Sequence, residues 1–190
     1  MGRPSKHFNL NRRSFLQCSY TLAATSIFPQ IIHADTDFSS EKTLEFVNLH
    51  TDETLQRSYW ANDQYDVSSL EDINHILRDH RANEIYEIDV KLLNLLHHLH
   101  DITASKSPFH IISAYRSPLT NEKLRKQGNG QGNGVAKKSL HMQGKAIDIR
   151  LPDIALKDLR DAAISLNAGG VGYYASSNFI HIDIGKPRSW

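Results

Sequence analysis

The chain has 190 residues, with 22 basic and 21 acidic side chains, a formal net charge of +1 and a single cysteine. That length suits one domain with a real core, and the ordinary balance of apolar and charged residues excludes a disordered or fibrous chain. Residues 1–34 carry Arg3, Lys6, Arg12 and Arg13 and no acid, which leaves 18 basic against 21 acidic residues in the remainder. A slightly acidic body of this kind excludes nucleic acid as the partner, because phosphate neutralisation needs a clustered basic surface.

The basic start reads as an export signal. "NRRSFLQ" (11–17) precedes the apolar "CSYTLAATSIF" and then "IIHAD", the charged, apolar and small-residue parts of a secretory leader. The paired arginines are similar to the twin-arginine export signal. Cleavage after Ala34 would leave 35–190 as the mature domain, placed in the periplasm and expected to be a monomer. The apolar part is too short to span a membrane, so no membrane span is expected after its removal. Cys18 lies inside this leader, so the mature domain has no thiol. Any metal there must be held by His, Asp or Glu.

"LEFVNLH" (44–50) and "TLQRSYW" (54–60) predict a hairpin turning at Thr51–Glu53. Leu70, Ile73, Ile76 and Leu77 recur at helical spacing, with Ser68 or Ser69 as the cap. A second helix is predicted over "DVKLLNLLHHLHDIT", capped by Asp89. "FHIISAYRS" (109–117) reads as a strand entering a loop, and Pro118 opens a third helix. "QGNGQGNG" (127–134) is either a mobile flap or an inserted surface loop. "KAIDIRL" alternates as a strand. "LKDLRDAAISLN" is an amphipathic helix stopped by Ala168-Gly169-Gly170. "VGYYA" and "FIHIDIG" close as two strands. The mixed order predicts an α+β fold with a small antiparallel sheet flanked by helices.

The chemistry concentrates in "SLHMQGKAIDI" (139–149) and "NFIHIDIG" (178–185). In the second, Ile180, Ile182 and Ile184 form one strand face while Phe179, His181 and Asp183 form the other. In the first, Gly144 lets the chain fold back, placing His141 on a loop arm and Asp148 on the following strand, on one face with Gly144 and Ala146. If the two strands pair, His141, Asp148 and His181 converge as a three-ligand zinc site with the fourth position open to water. On spacing alone the bland reading of each stays open, a surface histidine or a strand-end acid. "HHLH" (97–100) fits the solvated side of an amphipathic helix better than a ligand set. Of Tyr173 and Tyr174, one is expected in a groove and one in the core. Lys137 and Lys138 contact an anionic substrate or keep their loop soluble.

"SAYRS", "SLHMQGKAIDI" and "GGVGYYASSNFIHIDIG", with "VNLHT", "RDHRAN" and "GNGVAKKS", together resemble the zinc D-Ala-D-Ala metallopeptidase superfamily, which includes lysostaphin-type and hedgehog-type folds. Within it the chain is most similar to small exported murein endopeptidases, a likeness covering most of the mature chain. The resemblance implies zinc held by His141, Asp148 and His181, with the cross-linked peptides of peptidoglycan as substrate. It also implies that Arg116 faces the substrate carbonyl or carboxylate, a role suited to a permanent bidentate charge. One departure is visible. Relatives often place a Glu or His two or three residues before the last ligand as general base, where this chain has Phe179 and Asn178. Asp183 then becomes the residue expected to act as base or to orient His181, with His110 and His50 as weaker alternatives. Loss of the usual base also admits a zinc module that binds peptidoglycan without cleaving it, and a purely structural zinc is a third reading.

Overall fold

In the computed structural model, Gly2, 41–127 and 135–190 are described. The leader read at 1–34 and the Gly/Asn stretch therefore lie outside the described residues, apart from Gly2 and Gln127. The hairpin forms as β1 (Lys42–Asn48) and β2 (Thr54–Ala61), turning where Asp52 takes a left-handed conformation. A short β3 (Gln64–Tyr65) leads into α1 (Val67–Ile76). Its cap is Asp66 rather than Ser68 or Ser69. The Asp66 carboxylate accepts the backbone N–H of Ser69 at 2.9 Å and the Ser68 hydroxyl at 3.0 Å. Both serines are drawn into the first turn because the Asp66 carboxylate, two and three residues upstream, is the stronger acceptor. Asp66→Ala is expected to lower the midpoint of chemical denaturation.

Helix α2 (Val90–Thr103) is capped by Asp89, whose side chain accepts from Lys91 N. β4 (Phe109–Ser113), α3 (Pro118–Gln127), β5 (Ala146–Arg150) and α4 (Leu156–Ser165) follow, then β6 (Gly170–Tyr174), β7 (Phe179–Asp183) and β8 (Arg188–Ser189). α4 stops before the glycines that the sequence suggests as its end. Its cap is Leu166, and Asn167 takes the left-handed turn. Gly169 serves another purpose: a Cβ there would fall on the carbonyl oxygen of Asp183.

The class is α+β. The strands form one sheet in the order β3-β2-β1-β4-β5-β7-β6-β8. It is mainly antiparallel, but β1 runs parallel to β4 and β6 parallel to β8. A parallel β1–β4 pair needs a long crossover, and α1 and α2 supply it. Alternation then divides the sheet. Phe46, Phe109, Ile111, Ile147, Ile149, Ile180 and Ile182 are buried in one cluster with Leu92, Leu93, Leu96 and Leu99 of α2 and Leu159 of α4. The other face of β5 and β7 is left to carry polar side chains. No helix among the described residues is long and apolar enough to cross a membrane.

Candidate metal centre

The site is assembled by cross-strand register. β5 and β7 pair antiparallel with Asp148 opposite His181 and Ala146 opposite Asp183, so directly opposed side chains on one face meet. His141 arrives from a 3₁₀ turn (Leu140–Gln143) that ends at Gly144, whose φ of +64° reverses the chain into β5. A side chain at Gly144 would also strike the backbone carbonyl of Glu87. Geometry and space both require glycine here.

Hydrogen bonding fixes which nitrogen of each imidazole is available to a cation. His141 Nδ1 lies 2.6 Å from the carbonyl oxygen of Ala114, which can only accept, so Nδ1 carries the proton and Nε2 keeps its lone pair. His181 Nε2 lies 3.0 Å from Asp183 Oδ2, so Nδ1, which faces Asp148 at 2.9 Å, is the nitrogen that would serve a cation once its proton is displaced. Those two inward-facing nitrogens are 3.1 Å apart, and Asp148 Oδ1 sits 2.9 Å from that of His181 and 3.3 Å from that of His141. Three potential ligand atoms thus face one another in a largely buried place. Tetrahedral zinc, with bonds of about 2.0–2.1 Å, puts its ligand atoms about 3.3 Å apart. The donor set fits a divalent cation in both chemistry and spacing. It is the one group of three or more such side chains found among the described residues.

The surrounding residues hold this geometry. Arg116, 8% exposed, donates from Nη2 to Asp148 Oδ2 at 3.4 Å and to Ser113 Oγ at 3.2 Å, leaving Asp148 Oδ1 for the centre. Its backbone N–H also donates to the carbonyl of His141. The loop bearing Arg116 is pinned from the other side, where buried Asp79 accepts the N–H of Ser117 at 2.9 Å. Burial would raise the Asp148 carboxyl, but the adjoining imidazoles of His141 and His181 outweigh it and hold the group below the usual carboxylate range. Burial also lowers Arg116 from its ordinary value, against the opposing pull of Asp148.

Asp183 is fully buried and saturated. Its Oδ1 accepts from Gly170 N at 3.0 Å, Gly185 N at 2.8 Å and Arg188 Nη1 at 3.1 Å. Its Oδ2 accepts from Arg188 Nη2 at 2.7 Å as well as from His181. Burial would raise this carboxyl too, yet the hydrogen bonds of His181, Arg188, Gly185 and Gly170 hold it well below the usual range. A carboxylate so engaged is placed to orient an imidazole.

Sequence reasoning missed Arg188 and Trp190. β8 lays Arg188 beside Gly170 and the Trp190 indole over Gly172, where a Cβ would meet the ring at 2.7 Å. The indole lies 5.4 Å from the His181 ring and donates from Nε1 to the Tyr174 hydroxyl at 3.1 Å. The available signal was the spacing of Gly170 and Gly172, which clears one strand face for two large side chains. The cleft over the centre is lined by Arg116, Lys138, Tyr174, Phe179 and Trp190, among others. Tyr173 instead lies under the Arg160 guanidinium at 4.7 Å. His50 stacks on His80 at 4.1 Å, and neither His50 nor His110 lines the cleft. His97 pairs with Asp101, while His100 reaches the carbonyl of Ser107.

Comparison with known proteins agrees with this geometry. The family model described as peptidoglycan L,D-endopeptidase MepK matches residues 37–190. The chain is 39% identical over 183 residues to "Peptidoglycan L,D-endopeptidase MepK" of Escherichia coli (strain K12), covering 96% of this chain and 98% of that protein. It is 33% identical over 181 residues to the Haemophilus influenzae protein named "Probable peptidoglycan L,D-endopeptidase MepK", covering 95% of each. No solved structure gives a significant match. The chain is a peptidase and belongs to the peptidoglycan L,D-endopeptidase MepK family.

Proposed function

We propose that this chain is a zinc-dependent L,D-endopeptidase that hydrolyses peptide cross-links of peptidoglycan in the periplasm, reached through a twin-arginine leader. One observation carries the reading: three potential ligand atoms, His141 Nε2, His181 Nδ1 and Asp148 Oδ1, converge within 2.9–3.3 Å. The names of the relatives supply the substrate class. The basic, acid-free start of the sequence supplies the compartment.

His141, Asp148 and His181 would hold the ion. Zinc bound there would supply Lewis acidity, to polarise an amide carbonyl and to make water acidic enough to act as nucleophile near neutral pH. The rest is done by the chain. The Ala114 carbonyl and Asp183 each fix one imidazole tautomer and its ring direction. Arg116 immobilises Asp148 through one oxygen. It also brings to the cleft a permanent positive charge that favours the negative charge developing on the scissile oxygen. Phe179 and Asn178 stand where relatives carry a base, and neither can take a proton. Asp183 is accordingly a positioning residue.

The test is a digest. Protein from residue 35 onward is incubated with cross-linked muropeptide dimers of the L,D and D,D types, with zinc, with EDTA, and with zinc restored. Monomers are expected from the L,D dimers alone, lost with EDTA and regained with zinc. Intact L,D dimers in the presence of stoichiometric bound zinc would overturn catalysis and leave a peptidoglycan-binding module.

A further inference from the structure

The polar face of β5 does not end at the metal centre. Two residues beyond Asp148, on the same face, lies Arg150. Its side chain is half-buried and makes no hydrogen bond or ion pair among the described residues. This sets it apart. Arg57, Arg78, Arg116, Arg160 and Arg188 all donate to carboxylates, and Arg81 and Arg125 are exposed to water. A partly desolvated guanidinium without a counter-charge is costly unless something else supplies one.

Its surroundings suit an anion. Directly opposite Arg150 on β4 is His110, whose buried Nδ1 has no partner among the described residues. The two line a depression together with Asn178, Ile154 and Leu156, among others, and no acidic side chain lines it. Burial first, and then the Arg150 charge, lower His110 from its ordinary value, so the imidazole is neutral and the guanidinium is the fixed charge there. The start of α4 forms part of the rim, and its cap residue, Ala155, offers no side-chain hydrogen bond. Asp158, in the first turn of α4, is not among the lining residues. The depression is next to the cleft along two strands. Arg150 is two residues from Asp148, and Asn178 adjoins Phe179, which lines the cleft itself. Two residues along a strand span roughly 6.6 Å, the reach of about two residues of an extended peptide.

We propose that Arg150, with His110 and Asn178, forms a carboxylate-binding subsite that takes a free carboxylate of the cross-linked peptide about two residues from the scissile amide. This rests on the endopeptidase reading and names the chemistry by which the same cleft selects its substrate. A carboxylate would accept two N–H groups of the guanidinium side by side and supply the missing counter-charge.

The test compares L,D-cross-linked dimers with the same dimers whose free carboxylates are amidated. Wild-type protein, Arg150→Gln and Arg150→Lys are assayed for turnover with zinc, and for equilibrium binding after EDTA treatment. Wild type is expected to bind the free-carboxylate dimer about tenfold more tightly than the amidated one, and to show the same ratio in KM, the scale of one charge-assisted contact. Arg150→Gln should bind both dimers equally, at the amidated level, with kcat and zinc content near wild type. Arg150→Lys should keep part of the preference. Equal binding of the two dimers by wild type, an undiminished preference in Arg150→Gln, or no binding of the free-carboxylate dimer would overturn the subsite. A binding preference without turnover in wild type would instead support the subsite and overturn the endopeptidase reading.

Discussion

His141→Ala and His181→Ala are each expected to abolish retention of stoichiometric zinc and to lower cleavage of L,D-cross-linked dimers by more than about 100-fold. The reason is local. Each imidazole presents one nitrogen to the centre because its other nitrogen is engaged, by Ala114 O or by Asp183, and no other His, Cys, Asp or Glu among the described residues joins the group. Asp183→Asn should behave differently. The ligands remain, but the carboxamide can turn its NH₂ toward His181 Nε2 and loosen the ring, and losing such an outer partner typically costs 10–100-fold in metal affinity or activity. Zinc affinity by chelator competition, read beside turnover, therefore gives a graded series. The ligand variants sit at the bottom and Asp183→Asn between them and wild type. Full zinc retention in both histidine variants would refute the assigned ligands. An Asp183→Asn protein with unchanged affinity and a large loss of kcat would restore Asp183 as a base.

The second large effect is on folding. Gly169→Ala is expected to destabilise the protein by about 3 kcal/mol, above the usual range for a surface substitution, because the added Cβ lands on backbone. The atoms it meets are the carbonyl oxygen and carbon of Asp183 and the Cα of Ile184, and backbone in a sheet cannot rotate aside as a side chain does. At roughly 2–4 °C per kcal/mol for a chain of this size, Tm should fall by about 6–12 °C. Gly185→Ala is the control. Its Cβ would meet the side-chain atoms Asp183 Oδ1 and Leu140 Cδ1 at 3.0 Å, and a smaller loss is expected. Equal Tm for Gly169→Ala and wild type would mean that β6 and β7 can separate freely at this point. Because Asp183 also orients His181, a displaced Asp183 carbonyl should weaken zinc binding along with stability.

Much of the site could be read from the chain because the relevant periods are short. Strict alternation in "AIDIR" and "FIHID" assigns Asp148, His181 and Asp183 to the polar faces of their strands, whatever those strands pair with. Gly144 marks the reversal that brings His141 back toward β5, and Asp89 marks a helix start. These features depend on residues within one turn or one pleat of each other.

Other features depended on residues far apart in the chain, and only the tertiary structure decided them. The register that sets Asp148 opposite His181 joins residues 33 apart. Imidazole tautomers were settled by Ala114 O and Asp183 Oδ2, acceptors that no spacing rule assigns. Arg188 and Trp190 reached the centre through a two-residue strand too short to show periodicity, lying beside the glycines at 170 and 172. The same holds for Asp183. Its sequence position suggests base and orienting partner equally, and its five hydrogen bonds leave it to orient. Alternation tells a side chain which face to take, whereas the groups that then satisfy or leave bare its polar atoms are fixed by the packing of distant segments, and a site's chemistry resides in those atoms.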